Sequence, residues 1–341
     1  MQKYNIGVLG ATGIVGKEML EILIERNFPF NNLYAIASEK SKGETITLSN
    51  DDTLIVESLE SFDTSKIDIL LVSAGASVSE KYLPQIAATG VIVIDNSSYF
   101  RTDPLVPLII PEINLNSLKD YKNKNIIAVP NCSTIAMLMA LAPLHKKVPI
   151  NKVIASTYQS VSGAGKGALD ELFEQTKDIY NNRSHVHTKK AFTKQIAFNA
   201  IPHIDVFLES GYTKEEWKMN FETKKILDTD FNVSATCVRV PVFVSHAIAV
   251  SAEFSEPLSV DEAKDIWQKS PGVSVVDYRQ DEGYVTQVEA AGEDKVFISR
   301  IRKDIALSNG LSFWVVSDNL RKGAALNAVQ IAEALVKSWS N

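Results

Sequence analysis

The chain has only two cysteines, Cys132 and Cys237, in 341 residues, and they lie far apart. Such a low cysteine content excludes a disulfide-rich scaffold, and no Cys/His cluster has zinc spacing, so we expect no structural disulfide and no metal site. No apolar run approaches the roughly 20 residues that cross a bilayer. No basic and apolar leader precedes Tyr4. We therefore expect a cytoplasmic protein without a signal peptide or a membrane span.

An excess of positive charge is also lacking. The chain has 35 Lys and Arg and 41 Asp and Glu, which give a formal net charge of −6. This balance argues against nonspecific nucleic-acid binding, although it allows a local basic pocket for a small anion. Internal repeats and low-complexity segments are absent as well. The 45% hydrophobic and 22% charged fractions are typical of a globular protein, and the length predicts two domains.

The N-terminal part has the pattern of a dinucleotide-binding βαβ unit. A strand-like run at residues 4–9 leads into the turn GATGIVG at 10–16, and a helix-like segment follows. Glycines in such a turn let backbone N–H groups approach a pyrophosphate at the helix N-terminus. The spacing G-x-x-G-x-x-G differs from the standard G-x-G-x-x-G, so a glycine-rich turn without a ligand stays open. Further strand-like and helix-like segments alternate up to residue 95 and predict a doubly wound parallel sheet.

The second strand ends in SEKSKG at residues 38–43, where NAD-binding proteins usually carry an acidic residue for the ribose hydroxyls. Glu39 is present, but it stands among two serines and two lysines. Those donors suit a 2′-phosphate, so the stretch favours NADP over NAD. A solvated basic loop is the alternative.

The stretch AVPNCST at residues 128–134 ends a short apolar run and opens a long one at 135–144. This order predicts a strand, a tight turn and a helix, with Ser133 or Thr134 as the helix cap. Cys132 then lies where backbone N–H groups and the helix dipole favour an anion, and a cysteine there tends to have a lowered pKa and to be a nucleophile. A small buried residue at a packed turn is the alternative.

The second half of the chain has its own strand pattern. A strand at residues 151–158 precedes the glycine-rich turn that ends at 167, which lacks the Walker spacing and therefore predicts no ATP site. Alternating strands at 236–240 and 246–254 predict a mixed or antiparallel sheet. His246 stands among apolar residues, and two interpretations of it are open. It is either a buried histidine whose hydrogen bonds are made within the core, or a base for Cys132. His185 and His187 are predicted to be loop residues rather than metal ligands.

Glu215 and Lys218 are three residues apart in a predicted helix at 214–227, so they share a face. An ordinary exposed ion pair is the alternative to a functional role. Arg101, in the polar turn NSSYFR at 96–101, is by itself expected to be a surface residue.

Taken together, these motifs resemble those of aspartate-β-semialdehyde dehydrogenase. The resemblance is carried by GATGIVG at 10–16, NSSYFR at 96–101, PNCST at 130–134, QSVSGAG at 159–165, EEWK at 215–218, Arg239 seven residues before His246, and DNLRKG at 318–323. The motifs occur in the family's order and extend from residue 7 to residue 323, so the resemblance covers essentially the whole chain.

The resemblance implies a role for each matching residue. It implies that Cys132 is the acyl-forming nucleophile, that His246 is the acid/base and that Gln159 positions the substrate. It also implies that Arg239 holds the substrate α-carboxylate and Glu215 its α-ammonium. Arg101 and Lys218 are implied to bind phosphate or the acyl phosphate.

The cofactor-binding residues are expected on the glycine turn, on the following strand ends and in the second domain. They are Gly10, Thr12, Gly13, Ile14, Val15, Ser38, Lys40, Ser41, Ser73, Ser98, Ser162, Gly163 and Asn319. One departure concerns Lys40, where the family usually carries arginine. Lysine is a point charge and not a planar fork, so the NADP preference is expected to be weaker and use of NAD stays open.

The resemblance implies a Rossmann-type dinucleotide-binding domain at residues 1–131 and 319–341, and an α+β catalytic and dimerisation domain with a mixed sheet at 132–318. The implied reaction is the NADP-dependent, phosphate-dependent interconversion of L-aspartyl 4-phosphate and L-aspartate 4-semialdehyde through a Cys132 thioester. It belongs to the biosynthesis of lysine, diaminopimelate, methionine, threonine and isoleucine. The family implies a homodimer or tetramer, with no nucleic-acid or membrane partner.

Two other functions stay open. An N-acetyl-γ-glutamyl-phosphate reductase shares the fold and the cysteine chemistry, although its acetylated substrate would not need an anion such as Glu215. A noncatalytic dinucleotide-binding protein with a merely buried Cys132 is the other, and its cysteine would react slowly with a thiol reagent at neutral pH.

Overall fold

The computed structural model describes residues 3–181 and 191–339. His185 and His187, predicted to be loop residues, lie outside these ranges. The chain forms two compact units, residues 1–131 with 324–341 and residues 132–323. The predicted boundary at residue 319 therefore differs from the observed one by five residues. The reason is local, because Asn319 hydrogen-bonds Ser162 and a Cβ on Gly323 would lie 2.9 Å from the Cys132 Cβ.

The first unit contains a parallel six-stranded sheet. Its strands have the order β5-β2-β1-β6-β7-β8, and a short antiparallel pair, β3 and β4, stands beside it. Apolar runs without alternation, such as the fully buried β6, are typical of strands covered on both faces. The strands are β1 Tyr4–Leu9, β2 Phe30–Ala37, β3 Thr45–Thr47, β4 Thr53–Ile55, β5 Glu57–Ser58, β6 Ile69–Val72, β7 Ile92–Asp95 and β8 Ile126–Ala128.

The helices of this part are α1 Ile14–Glu25, α2 Ala76–Ala88 and α3 Pro111–Asn114. Short 3₁₀ turns lie at Glu39–Ser41, Thr64–Lys66, Phe100–Thr102 and Leu115–Asn123. The chain passes from β1 through α1 to β2 on one side of β1, and β6 then pairs with the other side. This reversal makes a crevice at the carboxyl ends of β1 and β6, which is where doubly wound sheets bind ligands. The predicted doubly wound parallel sheet is confirmed.

The second unit contains a mixed six-stranded sheet, as predicted. Its order is β10-β9-β11-β14-β13-β12, with parallel pairs at the two edges and antiparallel pairs between them. The strands are β9 Ile150–Gln159, β10 Asn232–Arg239, β11 His246–Phe254, β12 Val273–Val275, β13 Val296–Lys303 and β14 Gly310–Ser317.

Within the described residues, the helices that accompany this sheet are α4 Cys132–Lys147, α5 Lys166–Tyr180, α6 Lys214–Leu227, α7 Val260–Gln268 and α8 Gln287–Ala290. A 3₁₀ turn lies at Val161–Ala164. Thr213 with Glu216 forms a capping box that begins α6, so the start of this helix follows from local sequence. The cap predicted for α4 is wrong. The helix begins at Cys132, so Ser133 and Thr134 lie inside its first turn and are buried.

The closing helix α9, Leu326–Trp339, follows a π-helical turn at Arg321–Ala325 and belongs to the first unit. It packs against α1, where Arg26 and Glu333 form an ion pair at 2.7 Å. The Asn327 Nδ2 donates to the Ile109 carbonyl at 2.9 Å, which ties the buried face of α9 to the same unit. Across the ranges that the structure describes, every helix is too short or too polar to cross a bilayer.

Candidate active site

Three adjacent strands of the second unit place polar residues side by side at one edge of the sheet. Arg239 ends β10, Gln159 ends β9 and His246 begins β11. The strand register pairs Gln159 with both of the others. Side chains at paired positions project from the same face of a sheet, and all three are at most 6% exposed. The sheet therefore collects into one buried row three residues that are distant in the sequence.

The His246 ring is held by hydrogen bonds on its Nδ1 side. The backbone N–H of Ser160 donates to Nδ1 at 3.1 Å, and the Ser160 hydroxyl lies 3.1 Å from the same atom. The buried Nε2 has no hydrogen-bond partner within the described part of the chain. Burial, reinforced by the charge of Arg239, lowers the pKa of His246 to about 3. His246 is therefore a neutral imidazole with one buried nitrogen available to a ligand.

Arg239 lies next to the same turn. Its Nη1 donates to the Ser160 carbonyl at 2.6 Å. A Cβ added to Gly163 would lie 3.2 Å from both Arg239 Nη1 and His246 Nε2, so only a glycine leaves this space open. Burial lowers the pKa of the Arg239 guanidinium, while charges at Glu215 and Cys132 oppose that change. Arg239 thus interacts electrostatically with the cysteine and with His246, and it is suited to bind a small carboxylate.

Cys132 is the first residue of α4 and is partly exposed, whereas Cys237 is buried. The first N–H groups of a helix and its dipole stabilise a thiolate. Burial raises the pKa of the Cys237 thiol, so that side chain is an unreactive core residue. Of the two cysteines, only Cys132 has the surroundings of a nucleophile, which disfavours its interpretation as a core residue.

Gly323 sets the space available to Cys132. We expect Gly323→Ala to lower the rate of Cys132 alkylation by iodoacetamide by roughly tenfold, because displacing a reactive group by about 1 Å costs that much or more. The added Cβ would lie 2.9 Å from the Cys132 Cβ. Gly167→Ala is the matched control, because a Cβ there meets nothing within 4 Å. Equal alkylation rates in both variants would contradict the close packing.

Gln159 and the two residues predicted on α6 form a continuous polar chain. The Gln159 Nε2 donates to Glu215 at 3.2 Å, and Lys218 pairs with the other Glu215 oxygen at 3.1 Å and with Asp205 at 2.7 Å. The predicted shared face is confirmed, but the pair is largely buried and not an exposed surface pair. Thr157 donates to the Gln159 Oε1 at 3.1 Å, which fixes the orientation of the amide. The ligand roles of Glu215 and Lys218 stay predictions.

Asn319 forms hydrogen bonds with the turn that follows β9, next to His246. Its Oδ1 accepts hydrogen bonds from the hydroxyls of Ser160 and Ser162, both at 3.1 Å, and from the backbone N–H of Ser245 at 2.9 Å. Its Nδ2 lies 3.0 Å from the Ser162 hydroxyl. The partners of Asn319 and Ser162 thus come from the interior of the second unit, and exposed Gly163 lies beside them. Their predicted contact with a cofactor stays a prediction.

The glycine turn of the first unit fits a dinucleotide. Gly10 has a φ of +84°, and a Cβ there would lie 2.3 Å from the Ser73 carbonyl oxygen. A Cβ on Gly16 would lie 2.1 Å from the Gly10 oxygen, so the turn closes tightly against α1. Gly13 precedes α1 without a side-chain cap, and the first turn carries no acidic residue. The N-terminus of α1 is therefore open to an anion such as a pyrophosphate, with half-buried Thr12, Ile14 and Val15 around it.

The predicted 2′-phosphate stretch follows β2. Ser38 precedes the 3₁₀ turn Glu39–Ser41, and Lys40 is exposed within it. The nearby Ser58 side chain lowers the pKa of Glu39. Glu39 also pairs with Lys42 at 3.4 Å, which leaves Lys40 as the better placed cation for a phosphate.

Arg101 is not the surface residue that its isolation in the sequence suggests, because it is only 9% exposed. Its Nη2 donates to the Asn96 carbonyl at 2.8 Å. The loop is anchored by fully buried Asp95, which accepts from the Ser97 hydroxyl at 2.7 Å and the Ser79 hydroxyl at 3.0 Å. Burial raises the pKa of Asp95. The half-buried Ser98 lies in the same loop.

Sequence reasoning missed three supporting residues. Thr157 lies two positions before Gln159 in a strand, so the alternation of side chains already placed both on one face. The role of the Ser160 backbone depends on a partner 86 residues away and has no sequence signal. Asp205 stands alone in an irregular segment, and nothing in the sequence indicates that it pairs with Lys218. Among the described residues, no group of three His, Cys, Asp or Glu side chains could hold a metal.

Two family models match the chain. The model described as semialdehyde dehydrogenase, NAD binding domain, matches residues 5–121. The model described as semialdehyde dehydrogenase, dimerisation domain, matches residues 141–322. The first match covers the glycine turn and the Arg101 loop, and the second covers the Arg239, Gln159 and His246 row.

Curated relatives and solved structures match over nearly the whole chain. An aspartate-semialdehyde dehydrogenase of Aquifex aeolicus is 51% identical over 98% of both chains, and one of Rickettsia typhi is 48% identical over 99% of both. A crystal structure of aspartate semialdehyde dehydrogenase II from Vibrio cholerae, complexed with ASA, superposes with a TM-score of 0.95. It is 47% identical and covers 99% of both chains.

Proposed function

Since this chain belongs to the aspartate-semialdehyde dehydrogenase family, we propose that it reduces L-aspartyl 4-phosphate to L-aspartate 4-semialdehyde with NADPH and releases phosphate, reversibly. The observation that carries the proposal is the buried row at the sheet edge. Gln159 stands between a buried cation, Arg239, and a buried anion, Glu215. Opposite charges on either side of an amide suit the α-carboxylate and α-ammonium of an amino-acid substrate.

Cys132 is the proposed nucleophile. Its thiolate attacks the carbonyl carbon of the acyl phosphate, a C–S bond forms, and the C–O bond to phosphate breaks with its electron pair on the leaving phosphate. NADPH, when bound, supplies the hydride that reduces the resulting thioester. The C–S bond then breaks and returns the thiolate as the aldehyde forms. Arg101 and Lys218 are the proposed phosphate-binding cations, and Gln159 holds the reacting carbonyl group.

For the dinucleotide we propose the glycine turn before α1 and the strand ends around Ser73 and Ser98 in the first unit. Ser162, Gly163 and Asn319 of the second unit stay predicted cofactor-binding residues. The turn supports this assignment because its glycines leave the N–H groups of α1 accessible. For the 2′-phosphate we propose Ser38, Lys40 and Ser41.

Lys40→Ala is expected to weaken NADP⁺ binding by about fivefold and to leave NAD⁺ binding unchanged, because one exposed charge on a phosphate contributes roughly 1 kcal/mol. Titration calorimetry with both nucleotides measures the difference. Lys42→Ala is the matched control, since Lys42 already pairs with Glu39. Equal weakening of both nucleotides by Lys40→Ala would contradict a 2′-phosphate contact.

We further propose that the enzyme is a cytoplasmic homodimer, or a tetramer built from such dimers, that serves aspartate-family amino-acid and diaminopimelate biosynthesis. The match of residues 141–322 to a dimerisation domain supports the oligomer. Cys132 and Cys237, both reduced thiols, are compatible with a reducing compartment. Sedimentation of the purified chain tests the assembly.

The decisive assay follows NADP⁺ reduction by aspartate semialdehyde with and without phosphate. Activity that requires both phosphate and NADP⁺ is the expected result. If N-acetylglutamate semialdehyde turns over instead, the chain is an N-acetyl-γ-glutamyl-phosphate reductase and the substrate proposal is wrong. If the nucleotide binds and neither aldehyde reacts, the proposed enzyme activity is wrong.

A further inference from the structure

Two elements of the second unit carry the residues proposed to hold the charged groups of the substrate. Glu215 lies in the first turn of α6, and Arg239 is the last residue of β10. Both residues are buried, and they interact electrostatically. An amino-acid substrate has its α-ammonium and α-carboxylate on one carbon, so the two binding groups must be held at a fixed distance, to within about 0.5 Å. The packing of α6 against β10 has to set that distance.

Glu216, the residue after Glu215, joins the two elements directly. Its Oε1 accepts a hydrogen bond from the backbone N–H of Cys237 at 3.0 Å, and its Oε2 accepts one from the backbone N–H of Thr213 at 2.7 Å. Cys237 lies two residues before Arg239 on β10, and Thr213 is the capping residue of α6. Glu216 is only 9% exposed. One buried carboxylate therefore fixes the start of α6 to the end of β10.

This bridge requires a carboxylate. Backbone N–H groups only donate, so the two that meet Glu216 need two acceptor oxygens. A glutamine would supply one oxygen and would turn its NH₂ group toward the other N–H, which would then be buried without an acceptor. Because β10 is an edge strand of its sheet, the N–H groups on its outer side depend on other parts of the chain for acceptors. For Cys237 that acceptor is Glu216.

We propose that Glu216 is a positioning residue that sets the distance between Glu215 and Arg239 and so makes the site specific for an aldehyde that carries both an α-ammonium and a carboxylate. The inference rests on the proposed function for the roles of Glu215 and Arg239. Glu216 acts through Glu215 and does not contact the substrate. Without the bridge, Arg239 keeps its place in the sheet, whereas the first turn of α6 is no longer held against β10. Glu215 then leaves the position at which it meets Gln159.

A second hydrogen bond between α6 and β10 provides a matched control. The Asn220 Oδ1, one turn further along α6, accepts from the backbone N–H of Val233 at 2.9 Å. Val233 lies six residues before Arg239, which is roughly 20 Å along a strand. Asn220→Ala therefore removes a contact of the same kind between the same two elements, but at the end of β10 that lies far from Arg239.

The kinetic test compares two aldehydes at saturating phosphate and NADP⁺. Succinate semialdehyde is aspartate semialdehyde without the α-ammonium, so it keeps the carboxylate and does not use Glu215. We expect Glu216→Gln to lower the ratio of kcat/KM for aspartate semialdehyde to that for succinate semialdehyde by at least about tenfold, because displacing a binding group by about 1 Å costs that much or more. A loss of folded protein lowers both values equally and leaves the ratio unchanged. The ratio therefore reports the position of Glu215 and not the stability of the variant.

Two control variants should keep the wild-type ratio. Asn220→Ala is one of them. The other is Thr213→Ala, which removes the hydroxyl that accepts from the Glu216 N–H at 3.3 Å and keeps both hydrogen bonds of the Glu216 carboxylate. A wild-type ratio in Glu216→Gln, or an equal fall in all three variants, would overturn the proposal. If Glu216→Gln does not fold, Glu216→Asp takes its place with the same expectation, because its side chain is one methylene too short to reach both N–H groups.

Hydrogen exchange tests the bridge without substrate. The backbone amide of Cys237 should exchange at least about tenfold faster in Glu216→Gln than in wild type, and at the wild-type rate in Asn220→Ala, because only the first variant opens that hydrogen bond. Equal exchange of this amide in the three proteins would contradict the bridge. Wild type that is inactive toward both aldehydes would disprove the proposed function and, with it, the specificity role of Glu216. Active wild type with an unchanged ratio in Glu216→Gln would disprove the specificity role alone.

Discussion

Replacing Cys132 by serine is expected to lower kcat for phosphate-dependent oxidation of aspartate semialdehyde by at least about 10⁴-fold, because an alcohol is scarcely ionised near neutral pH. The thiol stands at the first position of α4, where a helix N-terminus stabilises the thiolate but cannot ionise a hydroxyl. An oxygen ester would also transfer its acyl group to phosphate less readily than a thioester. NADPH absorbance measures the rate.

Cys237→Ala is the control for this variant. Cys237 lies on β10 and is fully buried, with its Sγ 3.7 Å from the Met219 sulfur, so its removal should affect stability and leave kcat within about twofold. Both variants are compared at a temperature at which each is folded. If Cys132→Ser keeps more than about 1% of wild-type kcat, Cys132 is not the nucleophile.

Replacing Arg239 by leucine is expected to lower kcat/KM for aspartate semialdehyde by about 10³-fold. Loss of one member of a buried, hydrogen-bonded charge pair costs about 4 kcal/mol, and each 1.4 kcal/mol is a factor of about ten. Arg239→Lys restores the charge without the planar fork, so an intermediate loss is expected. The comparison of kcat/KM across the three proteins measures both contributions.

Propanal, an aldehyde without a carboxylate, separates recognition from chemistry. At a pH at which Cys132 is ionised in both proteins, wild type and Arg239→Leu should oxidise it at similar low rates, because neither uses the guanidinium to bind it. Arg26→Gln is the control for removing an arginine, since Arg26 forms a partly exposed ion pair with Glu333 and should not change kcat/KM. Arg239 also donates to the Ser160 carbonyl, so thermal unfolding of each variant shows whether a loss reflects stability. An equal loss with both aldehydes would contradict carboxylate recognition.

The sequence was informative wherever structure depends on near neighbours. The glycine turn at 10–16 and the strand before it predicted the start of the parallel sheet, and the helix at Lys214–Leu227 was located to the residue. The position of Cys132 at a predicted junction of strand, turn and helix also identified it as the candidate nucleophile. The error at Ser133 and Thr134 arose because cap preferences allow a shift of one or two residues, and the observed helix begins at Cys132.

The site residues Arg239, Gln159 and His246 were named from a resemblance, and nothing in their spacing places them side by side. Their adjacency follows from strand order and register, which join positions 80 and 87 residues apart through backbone hydrogen bonds. No sequence pattern indicated that Lys218 pairs with Asp205 as well as with Glu215, because Asp205 lies in an irregular segment.

By itself, the sequence determined the fold class, the mixed and parallel sheets, and the family, because these depend on periodicity, local turn chemistry and motif order along the chain. Only the tertiary structure decided which atoms face one another. The backbone N–H of Ser160 meets His246 Nδ1 because β9 and β11 pair in one particular register. A hydrogen bond between distant segments depends on that packing to within a fraction of an ångström, and one-dimensional patterns carry no distance of that kind.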